Sequence, residues 1–335
     1  MLVAVWEQQA YLSLSPSNVN LSKGVDALDE HLLIQKYFSN IGSAYLAEHN
    51  VETSVGDDAS VITSKKNTHL INSIDTSIEN IHFLDSMSSQ DIAYRSCVVA
   101  LSDLAACGAR PNWYSVALTF PKLDESWIKG FSTGLQKFSD EFKIPLIGGD
   151  TTKGPLSVTI QVMGEVGIKK TLLRSNAKED QLIFVSGIIG DAYLGLKELM
   201  QSTNSNLNTS AYLYPKAQIE LGLELVGVAS AAIDISDGLL QDLSLICKSS
   251  GVGAEIYFED IPTSIEDKSL ELINSGDDYQ ICFTAFKSSV RKIEEISHKL
   301  SIPITLIGKT TSSRELVLYD ESHDKMELGR GYKHF

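Results

Sequence analysis

The sequence lacks any long hydrophobic run. No stretch of its 335 residues approaches the roughly 18 consecutive apolar residues that a membrane-spanning helix needs. Basic residues are also scarce, with 28 Lys and Arg against 43 Asp and Glu, which gives a formal net charge of −15. Nucleic-acid-binding domains carry a basic face. We therefore expect no membrane and no nucleic acid among the partners, and we expect any phosphorylated ligand to be bound together with cations.

Several signatures of nucleotide-binding and metal-dependent enzymes are absent as well. The chain has no GxxxxGK[ST] loop, no GxGxxG turn after a predicted strand, no protein-kinase HRD or DFG motif, and no HExxH motif. The cysteines form no CxxC pair; they are Cys97, Cys107, Cys247 and Cys282. This spacing favours buried, reduced thiols in a cytoplasmic protein over disulfides or a zinc site.

Length and hydrophobic pattern predict two α+β domains. A chain of 335 residues exceeds what a single core normally supports. Runs typical of strands at 68–74, 113–120, 144–149 and 156–166 alternate with helical patterns at 88–108 and 125–142. A second set of strands and helices follows a charged stretch. We expect an N-terminal extension at 1–27, an N-terminal domain at 28–168, a C-terminal domain at 178–335 and a surface loop at 201–215.

Six short motifs place aspartate beside glycine, serine or threonine, usually where an apolar run stops. They are VGDDAS (55–60), SIDTS (73–77), LSDLAA (101–106), LIGGDTT (146–152), DISDGL (234–239) and SGDDYQ (275–280). One such motif alone is ordinarily a turn or a helix cap. Six of them predict a shared acidic site, because strand ends tend to gather on one side of a sheet. Close carboxylates raise their pKa values or bind hard cations such as Mg²⁺, and glycine amides suit phosphate groups.

Taken in order, these motifs and the terminal GYKHF (331–335) resemble the thiamine-monophosphate kinase family of the aminoimidazole-ribonucleotide-synthetase-like ATP-binding superfamily. The resemblance runs from about residue 28 to the end. It implies an α+β, two-domain synthetase-like fold: an N-terminal mixed sheet that pairs across a homodimer, and a C-terminal α+β domain. It also implies phosphorylation of thiamine monophosphate by ATP, with several Mg²⁺ ions, in the cytoplasm.

The resemblance further implies which residues form the site, with no catalytic group beyond the metal ligands. The implied metal ligands are Asp58, Ser73, Asp75, Asp103, Asp150, Asp234 and Asp237. The implied ATP contacts are Gly149, Asp150, Arg174 and Ser236. The implied contacts to thiamine monophosphate are His82, Asp277 and Tyr332.

Three positions depart from the family pattern. Ile74 stands where a hydroxyl residue is usual, so a metal contact there would have to use the backbone carbonyl. Asp277 replaces a usual Glu, and Tyr332 takes the place of an aromatic residue that is often Trp. The shorter acid and the smaller ring would each reduce contact with the thiamine.

Other functions stay open on the sequence alone. One alternative is another ATP-dependent synthetase of the same superfamily, although no Cys and Lys pair precedes the first aspartate motif, as a selenophosphate synthetase would require. A second is a Mg²⁺-dependent phosphatase, which would act without ATP. A third is a metal-binding protein without turnover.

Overall fold

The computed structural model describes residues 30–201 and 209–332, so the predicted extension at 1–27 lies outside the described residues. The helices are α1 (Glu30–Tyr37), α2 (Ser89–Ala106), α3 (Glu125–Phe142), α4 (Asp191–Gln201), α5 (Thr209–Leu213), α6 (Ile219–Leu225), α7 (Leu239–Ser250), α8 (Leu270–Asn274) and α9 (Val290–Leu300). The strands are β1 (Val51–Thr53), β2 (Val61–Ile62), β3 (Thr68–Ile78), β4 (Arg110–Phe120), β5 (Leu146–Lys153), β6 (Ser157–Gly167), β7 (Leu182–Ser186), β8 (Ala231–Asp234), β9 (Gly253–Tyr257), β10 (Ile281–Ala285), β11 (Ile304–Thr311), β12 (Leu316–Tyr319) and β13 (Lys325–Met326). None of the helices in these ranges is long and apolar enough to cross a membrane.

The first large sheet has four strands in the order β3-β6-β4-β5. The β3–β6 and β6–β4 pairs are antiparallel and the β4–β5 pair is parallel, so the predicted mixed sheet is confirmed. Alternate residues of β6 (Val158, Ile160 and Val162) are fully buried on one face, in a core shared with α2 and α3. Alternation with period two leaves the other face of the sheet more exposed.

The second large sheet has seven strands in the order β13-β12-β9-β11-β7-β10-β8. Its pairs are antiparallel except for β9 with β12. Helix α7 packs against it through Leu239, Leu243 and Ile246, which belong to a second core. The two-part α+β organisation predicted from the sequence is confirmed, and α2 also packs against α6, so the first core continues into the second half of the chain.

The two long helices of the first half lie within the predicted helical patterns at 88–108 and 125–142, and each begins at a side-chain cap. Ser88 caps α2 by accepting a hydrogen bond from the Asp91 amide at 3.2 Å, as the SSQD motif indicates. Asp124 caps α3, because its carboxylate oxygen accepts a hydrogen bond from the backbone amide of Trp127 at an N–O distance of 3.1 Å. Helix α3 ends at Phe142, and the next residue, Lys143, has a left-handed φ of 59°. These caps fix the start of α2, which carries part of the candidate site.

The expectation of a surface loop at 201–215 is wrong for the part that the structure describes. Thr209–Leu213 forms the helix α5, and its Tyr212 is only 3% exposed. The ring of the following Tyr214 packs edge-on against Tyr94 of α2, with ring centroids 5.6 Å apart. The polar composition predicted exposure, but two tyrosines provide enough apolar area to bury the end of the segment.

Two adjacent glycines in β5 have different steric surroundings, which gives a matched test of this strand. A Cβ at position 149 would lie 2.0 Å from the Val116 carbonyl oxygen of β4, whereas a Cβ at position 148 would have no neighbour closer than 3.9 Å. We predict that Gly149→Ala lowers the free energy of unfolding by roughly 1 to 3 kcal/mol, the usual cost of overpacking. Gly148→Ala should leave urea denaturation nearly unchanged. Equal denaturation midpoints for both variants would contradict the close β4–β5 approach.

Candidate functional site

Asp103 lies at the centre of an acidic cluster contributed by three elements. It is on the C-terminal half of α2, and its carboxylate accepts a hydrogen bond from the hydroxyl of Ser73 on β3. Asp75 lies two residues further along β3, on the same face of the strand as Ser73. Asp234 ends β8 of the second sheet. The charge of Asp103 raises the pKa of both Asp75 and Asp234, so residues from both halves of the chain come together here.

Burial and mutual repulsion shift the acid–base properties of this cluster. Burial first, and the Asp103 charge second, raise the pKa of Asp75 to about 6. The same two causes raise the pKa of Asp234 to about 8, although the Arg174 guanidinium acts in the opposite direction. Arg174 itself is exposed, in a single helical turn before β7. The cluster therefore retains protons near neutral pH unless a cation replaces them.

The turn between β8 and α7 is organised by Asp242, which the sequence reasoning missed. One oxygen of its buried carboxylate accepts the backbone amides of Ser236 and Asp237 at 3.0 Å and that of Gly238 at 3.2 Å. Burial is the main reason that its pKa rises to about 7. Asp242 lies three residues after the motif DISDGL, but spacing alone does not show that its side chain folds back onto the turn.

The loop before β10 packs directly on that turn. Gly276 has a φ of 75°, and a Cβ there would lie 2.2 Å from the Ser236 carbonyl oxygen. The Asp277 amide donates to the same oxygen at 2.9 Å, and the Tyr332 amide donates to the Asp237 carbonyl at 2.9 Å. The structure therefore brings Ser236, Asp237, Asp277 and Tyr332 together, and the roles that the resemblance implies for them stay predictions.

His82 joins this region through two residues that the sequence reasoning also missed. The Tyr212 hydroxyl donates to the His82 carbonyl at 3.0 Å, and the Tyr212 carbonyl accepts a hydrogen bond from Arg95. Arg95 in turn pairs with Asp277. A signal for Arg95 was present, because it is a charged residue within the largely apolar run of α2.

Gly149 and Asp150 lie apart from the Asp103 cluster. Asp75 pairs with Ile160, Ile160 with Val116 and Val116 with Gly149, so the β3 and β5 residues are separated by three strand spacings, or about 14 Å. Asp150 follows Gly149 and is exposed, as is Asp58 between β1 and β2. The predicted ligands thus form more than one group within a single chain.

The side chains of the Asp103 cluster have the chemistry that a hard cation needs. Mg²⁺ prefers carboxylate and hydroxyl oxygens, and Asp75, Asp103, Asp234 and Ser73 present only these. Burial, and the charge of Asp103 after it, raise the pKa of Asp75 and of Asp234, and a bound cation would oppose both effects. Within residues 30–201 and 209–332, however, no three His, Cys, Asp or Glu side chains converge closely enough to hold a metal ion by themselves.

A large cleft elsewhere does not contain the predicted residues. It has a volume of about 1060 Å³, and its lining includes Arg110, Lys143, Tyr214, Asp278 and Gln280. Clefts of this size often bind ligands. Its charges are of both signs, however, and none of the predicted metal, ATP or thiamine contacts lines it. The acidic cluster is therefore the stronger candidate for phosphate chemistry.

Both halves of the chain match models of known protein families. Residues 56–166 match the model described as AIR synthase related protein, N-terminal domain, and residues 178–321 match the corresponding C-terminal domain. Together these models cover more than half of the chain and include every strand of the two large sheets except β13. The chain belongs to the AIR synthase related proteins.

Curated relatives place the chain more narrowly within that class. It is 38% identical to the thiamine-monophosphate kinase of Buchnera aphidicola subsp. Schizaphis graminum, over 92% of this chain and 99% of the relative. It is 36% identical to that of Haemophilus influenzae, over 92% and 98%. The chain therefore belongs to the thiamine-monophosphate kinase family.

Solved structures agree with this placement. The crystal structure of thiamine-monophosphate kinase from Stenotrophomonas maltophilia is 34% identical, with a TM-score of 0.78 over 83% of this chain and 94% of that one. A complex described as AaThiL with AMPPCP and TMP is 25% identical, with a TM-score of 0.73 over 94% of this chain and 100% of that one.

The raised pKa values predict how the stability of the metal-free protein depends on pH. The folded-state values for Asp75, Asp242 and Asp234 are about 6, 7 and 8, against an ordinary value of 3.8. The folded protein thus holds protons that the unfolded chain releases, so this contribution is fully present below pH 3.8 and is lost as the pH rises through those values.

We predict that urea denaturation in EDTA gives a smaller free energy of unfolding at about pH 8.5 than at about pH 6. Asp234 has the highest of the three folded-state pKa values. The Asp234→Asn variant should therefore lose less free energy of unfolding between about pH 6 and about pH 8.5 than the wild-type protein does. If the free energy of unfolding depended on pH in the same way in the wild-type protein and in Asp234→Asn, the raised pKa of Asp234 would be contradicted.

Proposed function

We propose that this protein transfers the γ-phosphoryl group of ATP to thiamine monophosphate, which gives thiamine diphosphate and ADP. The observation that carries the proposal is the gathering of Asp75, Asp103 and Asp234 where the two halves of the chain meet. Family membership supports the choice of acceptor, since the similar complex contains TMP together with AMPPCP, an analogue of ATP. The reaction is a phosphotransfer with a phosphate group as acceptor.

The chemistry explains why the site is rich in acid and contains no dedicated base. The acceptor oxygen belongs to a phosphate that is already ionised near neutral pH, so little deprotonation is required. The obstacle is the approach of two polyanions in line, which positioning and charge neutralisation overcome. Carboxylates of the chain perform this work indirectly by binding cations.

Mg²⁺ would be held by the predicted acidic residues in more than one group. Asp75, Asp103 and Asp234, with Ser73 beside them, would form one group, and Asp58 and Asp150 would form another. Asp237 lies on the turn that Asp242 orders. Since no three of these side chains suffice alone, phosphate oxygens of the nucleotide would complete the coordination. Bound Mg²⁺ supplies neutralisation of the phosphate charge.

The remaining predicted residues would bind the two substrates. Gly149 and Ser236 would contact the phosphates of ATP: Gly149 lies in β5 directly before Asp150, and Ser236 offers a hydroxyl on the ordered turn. Arg174, whose charge already reaches Asp234, would contact ATP. His82, Asp277 and Tyr332 would contact thiamine monophosphate, which is bound beside the turn between β8 and α7.

The first sheet supports a homodimer, which we include in the proposal. Leu70, Asn72, Ile74 and Thr76 share the open face of β3, and Ile74 is 60% exposed. Alternation along the strand places the Ile74 side chain on the face opposite Ser73 and Asp75. An apolar side chain there suits contact between two copies of this sheet. We also propose a cytoplasmic location, which the free cysteines support.

The proposed reaction predicts a specific product and a specific loss. Purified protein with ATP, Mg²⁺ and thiamine monophosphate should form equal amounts of thiamine diphosphate and ADP, measured by mass spectrometry. Asp103→Asn should lower the rate by about 100-fold or more, the order seen when one charge-stabilising group is removed. Asp140→Asn is the matched control, because Asp140 is exposed and bonds only Tyr45 among the hydrogen bonds described for it.

Other products would contradict the proposed reaction and indicate a different activity. ADP and free phosphate without thiamine diphosphate would remove thiamine monophosphate as the acceptor while leaving an ATP site. Release of phosphate from thiamine monophosphate without ATP would identify a phosphatase instead. Full activity of Asp103→Asn would contradict the role of the acidic cluster.

The proposed dimer predicts that charge on the open face separates the subunits. Ile74→Lys should shift the protein from dimer to monomer in analytical ultracentrifugation, because a lysine at the centre of a packed interface would be desolvated without a partner. Leu123→Lys is the control, since Leu123 is 48% exposed and precedes α3, away from that face. A dimer that persists in Ile74→Lys would contradict the packing of the two sheets.

A further inference from the structure

Arg95 is a buried cation that none of the predicted functions requires. It is only 4% exposed, on the side of α2 that faces the second half of the chain. One guanidinium nitrogen lies 2.6 Å from a carboxylate oxygen of Asp277, and another donates to the carbonyl of Tyr212. The guanidinium carbon also lies 3.9 Å from the centre of the Tyr212 ring. A buried guanidinium with three such contacts is held in one orientation.

Tyr212 extends this set of contacts to the other predicted thiamine ligand. Its hydroxyl donates to the His82 carbonyl at 3.0 Å, while its ring and its own carbonyl contact Arg95. Asp277, Arg95, Tyr212 and His82 therefore form a continuous chain of contacts, which we name the Arg95 bridge. Its two ends are the residues that the sequence assigned to thiamine monophosphate.

The Asp277 end of the bridge is both fixed and accessible. Tyr279 donates its hydroxyl to the carboxylate oxygen that Arg95 contacts, at 2.9 Å. Asp277 and Tyr279 have left-handed φ values of 63° and 50°, a conformation that is costly for an aromatic residue. About a third of the Asp277 side chain, 32%, nevertheless stays exposed. A bound molecule can thus reach a carboxylate whose position the chain has already set.

We propose that Arg95 is a positioning residue for the acceptor substrate, and that Tyr212 transmits the same constraint to His82. Asp is one methylene shorter than the Glu usual at position 277, and the long, forked guanidinium spans the gap from α2 to this shorter acid. The bridge sets how far the carboxylate extends toward the acceptor. The inference rests on the proposed function, because it assigns His82 and Asp277 to thiamine monophosphate.

A purely structural role makes a different prediction. If Arg95 only joined the two halves of the chain, its loss would weaken folding and impair both substrates alike. If it positions Asp277, its loss acts on the acceptor and leaves ATP binding nearly intact. The ratio of the two KM values therefore separates these roles.

The first experiment shortens the cation. Arg95→Lys keeps the charge but loses the fork, so it cannot hold Asp277 and Tyr212 together. We expect the KM for thiamine monophosphate to rise about tenfold, the effect of roughly one lost charge-assisted hydrogen bond. The KM for ATP should change less than about twofold, and the melting temperature should stay well above the assay temperature. Equal increases in both KM values would overturn the proposal.

The second experiment lengthens the acid at position 277 to compensate for the shorter cation at position 95. Asp277→Glu alone should also raise the KM for thiamine monophosphate, because the longer acid meets an Arg95 placed for Asp. In the double variant R95K/D277E, the longer acid meets a shorter cation, and most of the affinity should return. A double variant worse than either single variant would show that the contact is not a matter of matched length.

Two tyrosines of the same segment supply a matched pair. Tyr212→Phe removes the hydroxyl that contacts His82 and should raise the KM for thiamine monophosphate several-fold, as for about one neutral hydrogen bond. Tyr214→Phe removes a hydrogen bond from the same segment to Asp91 of α2, whereas the Tyr212 hydroxyl donates to His82. It should leave both KM values unchanged. Identical effects of the two variants would overturn the role of Tyr212.

Binding measurements separate this inference from the proposed reaction. Equilibrium dialysis with thiamine monophosphate alone reports affinity even where no turnover occurs. Wild-type turnover with unchanged kinetics in Arg95→Lys would overturn the bridge and keep the reaction. If the wild-type protein bound thiamine monophosphate but formed no product, and Arg95→Lys bound it more weakly, the role of the Arg95 bridge would stand and the proposed reaction would be overturned. Wild-type protein that neither binds nor converts thiamine monophosphate would overturn both.

Discussion

Repulsion between buried carboxylates around Asp103 is the constraint on which the rest of this molecule depends. Helix α2 and strands β3 and β8 bring Asp103, Asp75 and Asp234 together, where burial and, after it, the negative charge of Asp103 disfavour the ionisation of Asp75 and Asp234. Such an arrangement is costly to fold and would be unfavourable in a protein that only needed a core. In the proposed reaction the same acidic region would favour the binding of Mg²⁺ and, through it, of a nucleotide, because a bound cation removes the unfavourable interaction between the carboxylates.

The sequence predicted much of the architecture because the relevant signals are local. Runs with the length and composition of strands identified the strands of the first sheet, and helical patterns at 88–108 and 125–142 identified its two long helices. The ordered aspartate motifs identified the family and thus the candidate residues. The division of those aspartates into separate groups was not predictable, because it depends on the strand order β3-β6-β4-β5, which no single motif encodes. The predicted domain limits and ligand roles stay predictions.

The residues that sequence reasoning missed act through contacts that are distant along the chain. Arg95 meets Asp277 across 182 positions and Tyr212 across 117. Asp242 is close in sequence to the turn that it orders, but only the direction of its side chain shows that three amides converge on it. Tyr212 was hidden by the polar composition around it, since a segment rich in Asn and Ser resembles a loop. Burial of two tyrosines on α2 outweighs that local preference.

The contact between Arg95 and Asp277 also joins the two regions that match separate family models, since one partner lies within 56–166 and the other within 178–321. The halves of this chain are therefore not interchangeable modules. A chimera that combined the first half of this protein with the second half of a relative carrying Glu would inherit a cation and an acid of unmatched length. The two halves would therefore have to change together, because a longer acid at position 277 in the second half needs a shorter cation at position 95 in the first half.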